Sequence, residues 1–290
     1  MDARLAELLR LLELERIEDN LFRGESHDIG SPQVFGGQVL GQALKAAYAT
    51  VAPDREPHSL HAYFLKRGDF NAPIVYVVDR SRDGQSFSSR RVTAIQYGEQ
   101  MFHCSISFQL RQPGLEHQIE MPEVPAPEAL TDSTLLPPEF VTRLPEKIRM
   151  FYARARPFEF RLVHPVDLVH PEPAPPQQQV WIRAVGRLPD DDVLHRCLLA
   201  YVSDFYLLNT ATMPHGVRNM FSNLALASID HAMWFHRPFR VDDWLLYAID
   251  SPSASGSRGF SRGSLFTRDG RLVASTAQEG LLRVISPPAG

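Results

Sequence analysis

The stretch IDHAMWFHRPFRVDDWLLYAID, residues 229–250, decides the fold because the chain carries a counterpart of it, LHAYFLKRGDFNAPIVYVVD, residues 60–79. Both read as two extended segments, and His61 and His231 place them 170 residues apart. Further on, SRRVTAIQYGEQMFHCSISF (89–108) answers SRGSLFTRDGRLVASTAQEG (261–280), with Gly98 and Gly270 separated by 172 residues. Each of these holds a glycine-bearing turn between two strands, Tyr97-Gly98 in one and Asp269-Gly270 in the other, and Asp-Gly between extended runs is a strong hairpin signal. The same order of elements at a nearly constant offset predicts two diverged copies of one unit.

Outward from these strands, each copy has a helix ahead of its sheet. In the first, Val39, Leu40, Ala43, Leu44, Ala47 and Tyr48 recur as adjacent apolar pairs every four residues, a broad face suited to lying on a sheet. In the second, the helix is predicted from about Asp191 to Leu208. One helix followed by several antiparallel strands, twice, is an α+β design in which each sheet wraps its own helix. Proline punctuates the middle at Pro113, Pro122, Pro125, Pro127, Pro137, Pro138 and Pro145. The reading is therefore an N-terminal unit over 1–112, a Pro-rich linker over 113–155 and a C-terminal unit over 156–290.

At 290 residues, 44% of them hydrophobic and 22% charged, the chain is long enough for two such units, each with its own core. A net charge of −4 gives no overall attraction for nucleic acid. Cys104 and Cys197 lie far apart with no Cys-x-x-Cys pair, which suggests neither a disulfide framework nor a zinc site and fits a cytoplasmic location. The N-terminus spaces Leu5, Leu8, Leu9 and Leu12 as one helical face but is interrupted by Asp2, Glu7 and Glu13, so it reads as an amphipathic helix and not as a leader. No apolar run approaches the roughly 20 residues a membrane-spanning helix needs. Neither a cofactor, a metal nor a membrane partner is expected.

Three polar residues stand out in the second copy. Leu194, Cys197, Tyr201, Asp204 and Leu208 follow at intervals of three and four, which puts the Asp204 carboxylate on an apolar stripe where it must be paired or hydrogen-bonded. Strand alternation puts Ser228 on the side of Leu224 and Leu226, and Gln278 on the side of Leu272, Ala274 and Thr276. Each alone reads more readily as structural, but a carboxylate, a hydroxyl and an amide all facing inward in one copy is a constellation. The offsets carry Gln278 onto Ile106 and Ser228 onto His58, so the first copy has lost the set and serves as a structural partner. Cys104 and Cys197 sit in apolar periodic segments without an activating histidine on the same element and read as core residues. His231 and His236, an odd number of strand positions apart, face opposite sides and make no metal pair. Gly36-Gly37 lacks the rest of a phosphate loop, and no Gly-x-Ser-x-Gly elbow occurs.

VFGGQVLGQAL (34–44), HSLHAYFLKRGD (58–69), DGQSFSSRRV (83–92), IDHAMWFHRPF (229–239) and GSRGF (256–260) together resemble the acyl-CoA thioesterase II family, over nearly the whole chain. The resemblance implies a double hotdog fold, two long helices each wrapped by a curved antiparallel sheet, and a hydrolase of fatty acid and lipid metabolism. It implies a catalytic set of Asp, Thr or Ser, and Gln, matched here by Asp204, Ser228 and Gln278; Ser228 keeps the hydroxyl and lacks the methyl of a threonine.

Water would then attack the thioester carbonyl directly, without an acyl-enzyme, with Asp204 as its base if apolar neighbours raise its pKa. Backbone N–H groups at the start of the Gly37-Gln38 helix are nominated for the developing oxyanion. Arg90, Arg91, Arg258 and Arg262 are candidates for the CoA phosphates, and an apolar tunnel beside the helices for the acyl chain. The competing readings are a non-catalytic acyl-CoA-binding or regulatory module and a hotdog-fold hydratase or dehydratase; neither releases free thiol. Open sheet edges predict a homo-oligomer, a dimer or tetramer. The C-terminal ISPPAG carries no Ser-Lys-Leu address.

Overall fold

The computed structural model of the chain describes residues 2–31, 33–133, 156–165, 171–217 and 224–285. An amphipathic helix α1 (Ala3–Leu12), N-capped by the Asp2 carboxylate, turns Leu5, Leu8, Leu11 and Leu12 inward. The first unit continues with β1 (Glu15–Glu18), β2 (Leu21–Gly24), the helix α2 (Gly36–Tyr48) and strands β3 (Arg55–Phe64), β4 (Ile74–Asp83), β5 (Phe87–Gln96) and β6 (Glu99–Leu110). The second has β7 (Phe158–Leu162), β8 (Gln177–Ala184), helix α3 (Asp192–Ser203), a short turn α4 (Leu207–Thr210), and strands β9 (Leu224–Ser228), β10 (Asp230–Phe235), β11 (Leu245–Ser255), β12 (Arg258–Thr267) and β13 (Leu272–Val284).

The two hairpins read from their turns are present. Tyr97 and Gly98 take φ of 53° and 77° between β5 and β6, and Gly270 takes 88° between β12 and β13. Among the described residues every strand pairing is antiparallel, and the strands run as one sheet in the order β1-β2-β4-β5-β6-β3-β10-β13-β12-β11-β8-β7, with β9 alongside β13. The join between the units is β3 on β10, the two repeated segments themselves: Ala62 lies opposite His231 and His61 opposite Ala232. Each copy thus offers the same edge to the other, as a local two-fold requires.

This join corrects the expectation of a separate core for each unit. The main apolar cluster runs continuously from Leu5, Leu40 and Leu44 through Phe102 and Ile106 to Leu198, Tyr247 and Leu265. The physical reason is that α2 and α3 lie against one another, so the apolar faces of the two units meet in one core. Glycine permits the approach: a Cβ on Gly37 would lie 2.1 Å from the Tyr201 carbonyl oxygen, and one on Gly41 3.0 Å from that of Cys197.

A second, smaller cluster of Trp181, Trp244, Leu246 and Phe266 is roofed by Met121, Val124 and Leu130 of the connector. The Trp181 indole donates to the Pro125 carbonyl, and Gln118 bonds both Gly270 and Leu272 across the hairpin turn. The first part of the Pro-rich segment therefore lies on the second unit as a strap; residues 134–155 of the linker, and the last five residues of the ISPPAG tail, fall outside the described residues. No described helix is long and apolar enough to cross a membrane.

Candidate active site

Asp204 ends α3 and is not inside it. The helix closes at Ser203, Asp204 takes φ −77° and ψ −8° as its C-cap, and Tyr206 turns left-handed at φ 71°. This shortens the helix expected to reach Leu208. No Gly, Pro or Asn marks the stop, so nothing local signals it. The chain is turned instead by an aromatic cluster in which Phe205 meets Phe35 and Phe160 at ring-centroid distances of 4.5 and 5.3 Å and Tyr206 meets Phe160 at 5.4 Å. A bulky residue at positive φ is uncommon and costs backbone strain that the surrounding packing must hold.

The structure brings together the three residues singled out in the second copy. Gln278, 1% exposed on β13, donates one amide hydrogen to Asp204 Oδ1 at 2.8 Å and the other to Ser228 Oγ at 2.7 Å. A carboxamide has two hydrogens on nitrogen, so both are engaged and the amide is held in one orientation. Ser228 accepts in this contact, which leaves its own hydroxyl hydrogen to donate elsewhere. The Asp204 side chain is 5% exposed, and burial pushes its pKa up to about 7 against the smaller opposing effects of the Gln278 amide and the Gly37 N–H. His231 on β10, 1% exposed and held neutral by burial with its pKa pushed down to about 3, places Nδ1 3.9 Å from Asp204 Oδ1.

The first unit completes the site. The start of α2 has Phe35 as its N-cap, with no side chain to satisfy the first-turn N–H groups. The Asp204 carboxylate sits there instead: a Cβ on Gly36 would lie 2.6 Å from Asp204 Oδ2. Only glycine admits the carboxylate so close to the helix's positive end. A cavity of about 150 Å³ opens at this seam, lined by Gly36, Val39, Phe64, Arg67 and Ser228. A larger one of about 750 Å³ has Leu8, Leu11, Phe158, Phe160, Tyr201 and Phe205 in its wall.

Other expected contacts are redirected. The Gly37 N–H is directed at Asp204, and the Gln38 N–H is bonded to the Phe35 carbonyl at 3.0 Å, so neither is free for an oxyanion. The Gln38 side chain is fully buried against the Glu25 carbonyl and the His27 N–H. Arg90 is 2% exposed, its guanidinium bonded to Thr50, the Arg82 and Ser89 carbonyls and Asp83, which removes it from the phosphate candidates. Arg258 pairs with Glu279 and lines a separate hollow with His215 and Leu282; Arg262 pairs with Asp250. The sequence does not single out Gly36 as the seat of the Asp204 carboxylate, Lys66 and Arg67 as lining of the small cavity, or His231 as a neighbour of Asp204. Only the adjacency of two basic residues in LKRGD offered a signal, whereas the nearness of His231 to Asp204 depends on the β10–β13 pairing. Cys104 and Cys197 are buried, and desolvation pushes the Cys197 thiol up to about 12 and that of Cys104 higher still, which makes both poor nucleophiles. His236 faces away from His231, bonded to Ser275.

Two helices side by side inside a continuous antiparallel wrap, with a polar site at the seam, define a double hotdog enzyme of the thioester hydrolase class. An acyl-CoA thioesterase II of Mycobacterium marinum has this fold, with a TM-score of 0.80 and 44% identity over 96% of this chain and 99% of its own. The family descriptions "Acyl-CoA thioesterase" and "Acyl-CoA thioesterase N-terminal domain" match residues 158–281 and 23–109. Acyl-CoA thioesterase 2 of Haemophilus influenzae is 44% identical over 96% of this chain and 98% of its own length, and human acyl-coenzyme A thioesterase 8 is 41% identical over 98% and 91%. The chain belongs to the acyl-CoA thioesterase family.

Proposed function

We propose that this chain hydrolyses acyl-CoA to a free fatty acid and CoA, by direct attack of a water that Asp204 deprotonates while Gln278 and Ser228 hold the geometry. The observation that carries it is the contact of Gln278 with both Asp204 and Ser228 beside a cavity, around a carboxylate whose pKa is pushed to about 7. A carboxyl that titrates near neutrality combines a usable fraction of base with proton affinity well above that of an ordinary aspartate. Water attacks the thioester carbon, its proton passes to Asp204, the tetrahedral intermediate expels CoA as thiolate, and the proton leaves Asp204 to restore the base. No strong acid is needed for so good a leaving group. The Ser228 hydroxyl hydrogen and the Gly36 N–H, both at the 150 Å³ cavity, are the donors nominated for the water and the carbonyl oxygen.

Lys66 and Arg67 at the rim of that cavity suit the phosphates of CoA, and the 750 Å³ aromatic and aliphatic cavity suits the acyl chain. The organisation proposed is a non-catalytic unit over 1–112, a linker over 113–155 and a catalytic unit over 156–290, with the first unit supplying the start of α2. A homo-oligomer is further proposed, supported by the exposed Tyr63 and Phe87 on the sheet; a monomer mass in solution would refute it. Two buried free thiols accord with a cytoplasmic location.

The test is release of free thiol from acyl-CoAs of increasing chain length by the protein and by its folded Asp204→Asn variant. Turnover is expected in the first, with an acid limb of kcat/KM near pH 7, and a loss of about two or more decades in the second. Bound acyl-CoA without thiol release would favour the binding-module reading. Equal rates in both proteins would discard Asp204 as the base.

A further inference from the structure

His231 is an ionisable side chain beside Asp204 that the proposed mechanism leaves idle. Its Nε2 lies 3.1 Å from Ser203 Oγ, and Ser203 Oγ donates its hydroxyl hydrogen to the Ala200 carbonyl at 3.0 Å. A serine has one hydrogen to give, so the ring must be the donor in the Ser203 contact, and the proton of the neutral imidazole is on Nε2. Nδ1 is then a bare lone pair. It is buried, has no hydrogen-bond partner, and faces Asp204 Oδ1 at 3.9 Å.

A lone pair aimed at a carboxylate is unfavourable, and the same lone pair aimed at a carboxylic acid is an acceptor. We propose that His231 is a positioning residue: when Asp204 takes the proton from the attacking water, the new Oδ1–H is held by a hydrogen bond to His231 Nδ1, and Ser203 keeps the ring in the tautomer that leaves Nδ1 open. The proton moves from water to Asp204 and later from Asp204 to the departing thiolate or solvent, and His231 stays neutral throughout. The separation must close by about 1 Å on protonation, as active-site hydrogen bonds that are long in the free enzyme do when the reaction proceeds. Without this acceptor, the acid form of Asp204 would be a buried O–H with no partner, costing part of the driving force for the proton transfer.

The other groups that face Asp204 do not duplicate this role. Gln278 Nε2 and the Gly37 N–H are donors that favour the ionised form, and Gln278 also occupies Ser228. Tyr201 on α3 and Tyr247 on β11 are phenols held neutral by burial, with the Tyr247 hydroxyl already bonded to the Ser203 carbonyl and Thr276. Farther out, Arg156 acts on Tyr201, and Asp230 accepts from the Glu279 N–H. From β3, the residue opposite His231 is Ala62, which brings no charge.

The inference rests on Asp204 being the base, and the experiment separates the two. His231→Gln keeps a donor toward Ser203 and deletes the Nδ1 acceptor; Ser203→Ala keeps the ring and removes the tautomer lock, which lets a proton sit on Nδ1 facing Asp204. In both, the acid limb of kcat/KM is expected to move down by about one pH unit and plateau kcat to fall roughly three- to tenfold with KM unchanged. An acid limb that stays in place or rises in His231→Gln, while Asp204→Asn is inactive, overturns the inference alone; full activity of Asp204→Asn overturns the parent reading. Should His231→Gln not fold, the tautomer decides. In protein labelled with ¹⁵N-histidine, the imidazole whose signals Asp204→Asn displaces is expected to carry its proton on Nε2, and a proton on Nδ1 overturns the proposal.

Discussion

The two helices at the centre of the molecule are copies that finish their N-termini in opposite ways. Helix α3 caps itself: Asp191 accepts from the N–H groups of Val193 and Leu194 at 2.9 and 3.2 Å. Helix α2 starts from Phe35 and two glycines with no side-chain cap, and the carboxylate that meets its positive end, Asp204, comes from the last turn of α3. The strands diverge in the same sense. Where β13 carries Gln278 the first unit has Ile106, 1% exposed, and where β9 carries Ser228, opposite Gly280, β3 has Pro57, opposite Phe108, with the expected counterpart His58 displaced to the irregular position that follows. Both halves share one scaffold of a helix and antiparallel strands. In the second half the Gln278 amide hydrogens, the Asp204 carboxylate and the Ser228 hydroxyl satisfy one another, whereas at Ile106 the first half keeps an apolar side chain and avoids the desolvation cost of a buried amide.

The asymmetry can be broken most severely at Gln278. Gln278→Leu keeps the volume and removes both donated bonds, so kcat is expected to fall by about two to three decades, roughly 3–4 kcal/mol of transition-state stabilisation; a loss below tenfold in thiol release would show that the amide is dispensable. Next comes the cost of keeping Asp204 buried. Its folded pKa lies above the unfolded 3.8, so the folded state binds its proton more tightly; stability is full below about pH 4 and erodes as pH rises through about 7. Asp204→Asn is therefore expected to match the parent in urea melts at pH 4 and to exceed it at pH 8, by on the order of 2–4 kcal/mol at most. Equal midpoints at both pH values would mean the carboxylate is fully compensated where it sits.

Reintroducing polarity into the first copy is expected to do harm without benefit. Ile106→Gln places an amide opposite no carboxylate and no hydroxyl, and should lower the unfolding free energy by about 2 kcal/mol while leaving thiol release within a factor of two. Activity lost beyond that factor would reveal that the first unit does more than support the site. The smallest effect is expected of Ser228→Thr, which keeps the hydroxyl and adds a methyl that restricts its rotamers; a change of kcat within about threefold in either direction fits.

Much of this is legible in the sequence. The repeat offsets, the two glycine turns and the apolar pairs of α2 report local physics, backbone conformation and the side of an element that avoids water, and the structure contains the hairpins and helices they predict. Strand alternation also put Ser228 and Gln278 on inward faces. Where the reading ran on or went astray, the cause was a partner distant in sequence. Periodicity carries helix α3 on to Leu208, because its actual stop is an aromatic cluster drawn from Phe35 and Phe160 and not a local glycine. Arg90 looked like an exposed anion contact because Thr50 and Asp83, which enclose it, come from other elements.

The sequence by itself determined that there are two helix-and-sheet units and which of them keeps the carboxylate, hydroxyl and amide, since periodicity and residue type are properties of a single segment. Only the tertiary structure decided that the units share one sheet through β3 and β10 and one core through α2 and α3. The same packing sets the open N-terminus of one copy against the buried carboxylate of the other and brings His231 up to that carboxylate. Those are contacts between segments well over a hundred residues apart in the first case and 27 in the second, fixed by close packing and strand register, to which no local pattern is sensitive.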